Sequence, residues 1–88
     1  MTRPLYLERA LKDLKKMESA RRTRAAKKIA ELKESNFPSG AKHLGMAEHH
    51  YRLRSGDDRI VYRIREAIPE VVMVGDRNDI YRRLGRFV

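Results

Sequence analysis

Tyr51-Arg52-Leu53-Arg54-Ser55-Gly56-Asp57-Asp58-Arg59-Ile60-Val61-Tyr62-Arg63-Ile64-Arg65 decides the fold of this chain. In Tyr51 to Arg54, apolar and basic residues alternate with the period of two that sends successive side chains to opposite faces of a strand. Ser55-Gly56-Asp57-Asp58 has the chemistry of a hairpin connection, with Gly56 free to take a positive φ. The return strand Arg59 to Arg65 puts Ile60, Tyr62 and Ile64 on the core side. One face of this antiparallel ribbon therefore gathers Arg52, Arg54, Arg59 and Arg63, with Arg65 at its far end.

Downstream, Pro69 interrupts, and Val71-Val72-Met73-Val74 is too short an apolar run for a helix. It reads as a central strand covered on both faces. Gly75 ends it, Asp76 to Asp79 reads as a polar turn, and Ile80 to Val88 has room for a turn or two of helix. Upstream, Ala10, Leu11, Leu14 and Met17 fall at helical spacing, with Lys12, Asp13, Lys15 and Lys16 on the other side. Ser19 is placed to cap a second helix whose apolar stripe is Ala25, Ala26, Ile29 and Leu32. Its first turn carries Arg21, Arg22 and Arg24, which oppose the helix dipole. Taken singly, each of these is most simply a solvated basic residue.

Ser35-Asn36-Phe37-Pro38-Ser39-Gly40 breaks the helix, and the segment through Glu48 reads as loop. Leu5 and Leu7 share one face of a short first strand within residues 1–7. The predicted fold class is α+β: an N-terminal strand and a two-helix hairpin packed on a small antiparallel sheet, with a short C-terminal helix. One sheet face carries the helices and the other is left open.

The chain has 88 residues, one domain's worth, and a formal charge of +9 with 41% hydrophobic residues. That combination predicts a folded core under a strongly basic surface, and hence a polyanionic partner or an acidic protein. Residues 1–44 hold seven Lys and five Arg, while residues 45–88 hold nine Arg and no Lys. Arginine offers the rigid fork that matches phosphate oxygens, so the sheet half is the one suited to RNA. The chain contains no cysteine, which removes disulfides and thiolate metal sites. No apolar stretch reaches membrane-spanning length and there is no apolar leader core, so the expected location is the cytoplasm.

Cleaving RNA requires activation of a 2′-hydroxyl, stabilisation of the phosphorane and protonation of the leaving oxygen. Arginines serve the second need. For proton transfer the candidates are His43, His49 and His50, and Tyr81, which follows Arg77 by one helical turn and whose phenol can pass a proton if adjacent arginines lower its pKa. The histidines lack a metal-ligand spacing, the acids are scattered, and the role of the histidines stays open.

Arg9 to Met17, Tyr51 to Tyr62 and the run Val74-Gly75-Asp76-Arg77-Asn78-Asp79-Ile80-Tyr81 resemble the RelE/ParE toxin superfamily of bacterial toxin-antitoxin systems, over nearly the whole chain. The resemblance implies a single toxin domain across 1–88 with a RelE-like, microbial-RNase-like fold. It implies a ribosome-dependent, metal-independent endoribonuclease that cuts mRNA in the A site, without a cofactor. The implied partners are ribosome, mRNA and a cognate antitoxin, expected to be acidic and encoded alongside. By motif position, Arg59 and Arg77 become the phosphate-stabilising pair and Tyr81 the residue at the 2′-hydroxyl. Arg52 and Arg54 are the basic residues of the preceding strand, and Arg63, Arg65, Arg82 and Arg83 are further RNA-binding residues.

Two features depart from the pattern. Asp58 stands where many relatives carry an aromatic or small residue, which puts the electrostatics beside Arg59 in question, and only seven residues follow Tyr81. Two other readings fit the charge and fold: a ParE-like toxin that inhibits DNA gyrase without nuclease activity, and a basic RNA-binding module without catalysis.

Overall fold

The computed structural model describes residues 4–45 and 48–87, with side chains up to residue 85. Met1 to Arg3, Met46, Ala47 and Val88 lie outside the described residues, and so does part of the predicted first strand.

Within these residues the order of elements is β1 (Leu5–Tyr6), α1 (Glu8–Lys16), α2 (Ser19–Ala30), a 3-10 turn (Glu31–Lys33), β2 (Lys42–His43), β3 (His50–Ser55), β4 (Asp58–Arg65), β5 (Ile68–Asp76) and α3 (Arg77–Phe87). The sheet runs β1-β5-β4-β3-β2, with β1 parallel to β5 and the other pairs antiparallel. The predicted α+β class holds, and no described helix is long and apolar enough to cross a membrane.

Two cores lie on the two sides of the sheet. On one, Ala10, Met17, Ala25, Ile29 and Leu32 from the helical hairpin meet Leu53, Ile60, Tyr62, Val71 and Val74. On the other, Ile80 and Leu84 of α3 pack with Leu44, Val61, Val72 and Met73. The face expected to be open is therefore partly covered by α3, and only its β3 side is left as a basic surface. Val72 is an extra residue in β5: Val61 pairs with Met73 but Tyr62 pairs with Val71. This bulge turns Val72 and Met73 to the same core and explains why the run Val71 to Val74 shows no alternation.

Several local expectations change. Ser19 does not cap α2; Glu18 takes that position without a side-chain bond, and Ser19 is the first helical residue. Two of these arginines, Arg21 and Arg22, are occupied by contacts outside the helix. Arg21 grips Asp58 with two bonds of 3.1 and 2.5 Å, and Arg22 donates to the Leu14 and Lys15 carbonyls at the end of α1. Leu5 of β1 is 51% exposed, and Leu7, just past the strand, packs against the second core. Lys42–His43, expected as loop, forms β2 on the edge of β3.

Pro69 does not break the strand. Ile64, its partner, sends its N–H to the His49 carbonyl on the β3 side, so Ile64–Pro69 is a non-hydrogen-bonded pair. The absent N–H of proline therefore faces away from β4 and leaves that ladder intact. The polar run after Gly75 is not a turn either. Asp76 accepts the N–H of Asp79 at 2.9 Å and caps α3, which starts at Arg77 directly from β5. A Cβ on Gly75 would stand 3.2 Å from Asp79 Oδ2 and 3.5 Å from Ile80, so glycine allows this close strand-to-helix turn.

Candidate active site

The cross-strand register sets the site. Arg54 lies opposite Arg59, and Arg52 lies opposite Val61, so all three arginines stand on the face away from α1 and α2. Asp58, the neighbour of Arg59, points to the other face, where it is buried against Arg21 of α2. The suspected clash of Asp58 with the basic site is thereby removed: its charge is matched on the far side of the sheet.

Arg77 reaches this face because its N–H donates to the Asp57 carbonyl in the β3–β4 turn at 3.1 Å. That bond fixes the first turn of α3 beside the hairpin, and Tyr81 follows one turn later, with its ring against the second core. The result is a cleft of about 280 Å³ lined by Gly40, Lys42, Arg52, Arg54, Arg59, Arg77 and Tyr81. Five cations and a phenol form its lining with no carboxylate among them.

Within the cleft, Arg59 is the most enclosed cation, at 5% exposure. Its Nη1 donates to the Asp58 and Gly56 carbonyls at 3.1 and 3.3 Å, while its buried Nε has no bond to a described residue. A guanidinium held on one edge by carbonyls cannot swing away, which presents the remaining donors at a fixed place. Next to this cleft, a shallower groove is lined by Arg54, Asp57, Arg59, Asp76, Arg77 and Asn78, where the carboxylates begin.

Of the residues expected from the sequence, Arg52, Arg54, Arg59, Arg77 and Tyr81 come together. Lys42 joins them from β2 opposite Arg52, a residue that sequence reasoning missed because a two-residue strand has no detectable period. Arg63 is on the correct face but is spent on its cross-strand partner Glu70, with Nε at 2.7 Å from Oε1. Arg65 ends β4, six residues or about 20 Å along the strand from Arg59. Arg82 pairs with Asp79, and Arg83 joins Asp13 of α1 and Asp79. These last four do not line the cleft.

The histidines stand apart as well. His43 packs edge-on to Tyr51 at 5.3 Å between ring centres, His49 has φ 61° and faces Glu48, and His50 Nδ1 lies 2.7 Å from the Glu48 carbonyl. Among the described residues no cluster of His, Cys, Asp and Glu has the makings of a metal site.

No protein-family model matches the chain, and no curated protein matches it. Solved structures do. An arginine double mutant of the E. coli toxin RelE in its free state is 31% identical, with both chains covered completely and a TM-score of 0.74. The chain belongs to the RelE toxin family. The toxin in the intact E. coli RelBE toxin-antitoxin complex is also 31% identical, covers 86% of this chain and 96% of its own, and gives a TM-score of 0.72. A RelB-RelE antitoxin-toxin complex from Methanococcus jannaschii contributes a chain of 26% identity and TM-score 0.76, covering 90% and 96% of the two chains. The likeness to the free RelE mutant extends over the whole chain.

Proposed function

We propose that this RelE-family chain is a metal-independent endoribonuclease that cleaves mRNA in the ribosomal A site. The observation that carries this reading is the convergence of Arg52, Arg54, Arg59, Arg77 and Tyr81, with Lys42, on one cleft. Arg59 and Arg77 flank the scissile phosphate and stabilise the charge that develops on its oxygens. Tyr81 orients the 2′-hydroxyl, whose proton passes through the phenol to solvent as O2′ bonds to phosphorus; the P–O5′ bond breaks, the leaving 5′-oxygen takes a proton from water, and Arg52, Arg54 and Lys42 hold flanking phosphates. The products are a 2′,3′-cyclic or 3′-phosphate and a 5′-hydroxyl. A lining of five cations with no carboxylate is a poor site for a divalent cation, and chelation should leave the rate unchanged.

Ribosome dependence follows from how few proton-transfer groups the cleft holds. The protein supplies charge stabilisation, and the ribosome supplies the orientation of the substrate, which is worth several orders of magnitude. The partner that restrains the activity is a cognate antitoxin, by analogy with the RelB-bound relatives. Its contact region is acidic to match a toxin of charge +9.

Expression without a partner should arrest translation and leave cuts at A-site codons. Arg77→Ala and Tyr81→Phe should each lower single-turnover cleavage on programmed ribosomes by about 100-fold or more, with unchanged thermal melting. Full toxicity of both variants, without A-site cuts, would overturn the nuclease reading. Gyrase inhibition under the same conditions would establish the ParE-like alternative.

A further inference from the structure

The basic face of α2 has one part that the fold does not use. Arg21 is taken by Asp58 and Arg22 by the end of α1, while Lys28 pairs with Glu31 at 3.5 Å. Arg24 and Lys27, one turn apart on the same face, have no ionic partner among the described residues. They line a groove of about 270 Å³ between α2 and the β3–β4 hairpin, together with Lys28, Glu31, Arg54, Ser55 and Gly56, and its one carboxylate, Glu31, is the one already paired with Lys28.

Two features of this groove point to an anion. Ser55 is 5% exposed on the α2 side of β3, and its buried Oγ has no bond to a described residue, an unpaired hydroxyl at a cationic wall. Arg54 lines both this groove and the candidate active-site cleft. It can do so because β2 pairs with β3 only at Tyr51 and Arg52, which leaves β3 an open edge at Arg54 and Ser55. A flexible polyanion leaving the cleft meets no strand to cross before reaching α2.

Resting on the nuclease reading above, we infer that the groove formed by Arg24, Lys27, Arg54 and Ser55 is a second phosphodiester site, which holds the RNA backbone after it leaves the cleft over the open edge of β3. Arg24 and Lys27 neutralise phosphate oxygens, and Ser55 Oγ donates to one of them. The site reads no base edges, so it adds affinity without adding sequence preference. Its occupant is single-stranded, because the path bends around a sheet edge.

The test uses the full chain carrying Tyr81→Phe, so that RNA stays intact, and fluorescein-labelled single-stranded RNAs of 3 and 12 nucleotides in anisotropy titrations across a KCl series. Removing two phosphate contacts with Arg24→Ala/Lys27→Ala should lower the slope of log K against log salt for the 12-mer by about 1.4, and its affinity at 0.1 M salt on the order of tenfold or more. The 3-mer, too short to span both sites, should bind as before. Ser55→Ala should weaken the 12-mer a few-fold with an unchanged slope, a response that a diffuse basic field would not give.

An unchanged 12-mer slope in the double variant overturns the inference, as does an equal loss for the 3-mer. Loss of antitoxin binding with an unchanged RNA slope also overturns it and assigns the groove to the protein partner. The nuclease reading is scored separately, by A-site cleavage with the Tyr81-intact chain: if that fails while the slope change appears, the groove is an RNA site on a protein that does not cut.

Discussion

At the scale of single residues, neighbours in sequence have opposite fates. Asp58 and Arg59 are both buried, yet one is neutralised by α2 and the other held at the cleft, because strand alternation sends them to different faces. Tyr62 is another buried polar residue with a defined bond: its hydroxyl donates to the Asn36 carbonyl at 2.7 Å, and burial pushes the phenol up to about 12. Tyr62→Phe should cost about 1 kcal/mol in urea denaturation, the usual net value of one hydrogen bond. Asp79 is shifted the other way. The hydrogen bond from Arg82 lowers its pKa most, burial opposes this, and Arg83 adds to the lowering. Its ionised form is favoured in the folded state, so its contribution to stability is present above the ordinary value of 3.8 and is lost as pH falls through the lower folded value. Asp79→Asn should therefore reduce the melting temperature at pH 7, with a gap to the parent that narrows toward pH 3.

At the scale of elements, two junctions carry strain or tension that a pattern of hydrophobic residues does not reveal. The β4–β5 turn uses Glu66 and Ala67 at φ 51° and 67°, positions that favour Asn and Gly. Replacing the pair by Asn-Gly should stabilise the chain by roughly 1 kcal/mol by relieving left-handed strain, measured as a higher denaturant midpoint at equal slope. The α3 helix is fastened by a polar knot. Asp13 Oδ2 accepts the Val74 N–H of β5 at 3.0 Å, and Asp13 receives two bonds from Arg83 at 3.1 and 3.2 Å. Asp13→Ala should cost about 2 kcal/mol or more, because it leaves the Val74 N–H without its acceptor and a partly buried guanidinium with Asp79 as its remaining carboxylate. Arg83→Ala should slow cleavage several-fold although Arg83 does not line the cleft, because Tyr81 rides on the helix that Arg83 holds. Wild-type cleavage rates in that variant would mean that α3 keeps its position without the knot.

At the scale of the whole molecule, the charge of +9 is not spread evenly in its effects. Among the described residues, carboxylates answer Lys12, Arg21, Lys28, Arg63, Arg82 and Arg83, whereas the five cations of the cleft, and Arg24 and Lys27 of α2, have no ionic partner. In the nuclease reading proposed above, an acidic antitoxin and RNA would compete for the same field. Raising salt from 50 to 200 mM should weaken both interactions steeply, and an antitoxin-bound sample should lose RNA affinity altogether.

The sequence alone determined the hairpin Tyr51 to Arg65, the face on which Arg52, Arg54 and Arg59 stand, both long helices and the family resemblance. These are local: alternation, helical spacing and a Gly-containing turn are written within about fifteen residues. It also singled out Arg77 and Tyr81, by resemblance more than by spacing. The tertiary structure decided which cations remain available. Arg63, Arg82 and Arg83 look identical to Arg54 and Arg59 in composition, but Glu70 reaches Arg63 once β4 and β5 pair, Asp79 reaches Arg82 once α3 forms, and Asp13 reaches Arg83 only after α3 docks beside α1. Lys42 enters the cleft through a two-residue strand that exists only because β3 offers it an edge. The start of α3 at Arg77, which aims Tyr81, depends on Gly75 letting strand and helix approach closely. Long-range pairing selects partners across dozens of residues, and no window of the sequence contains that information.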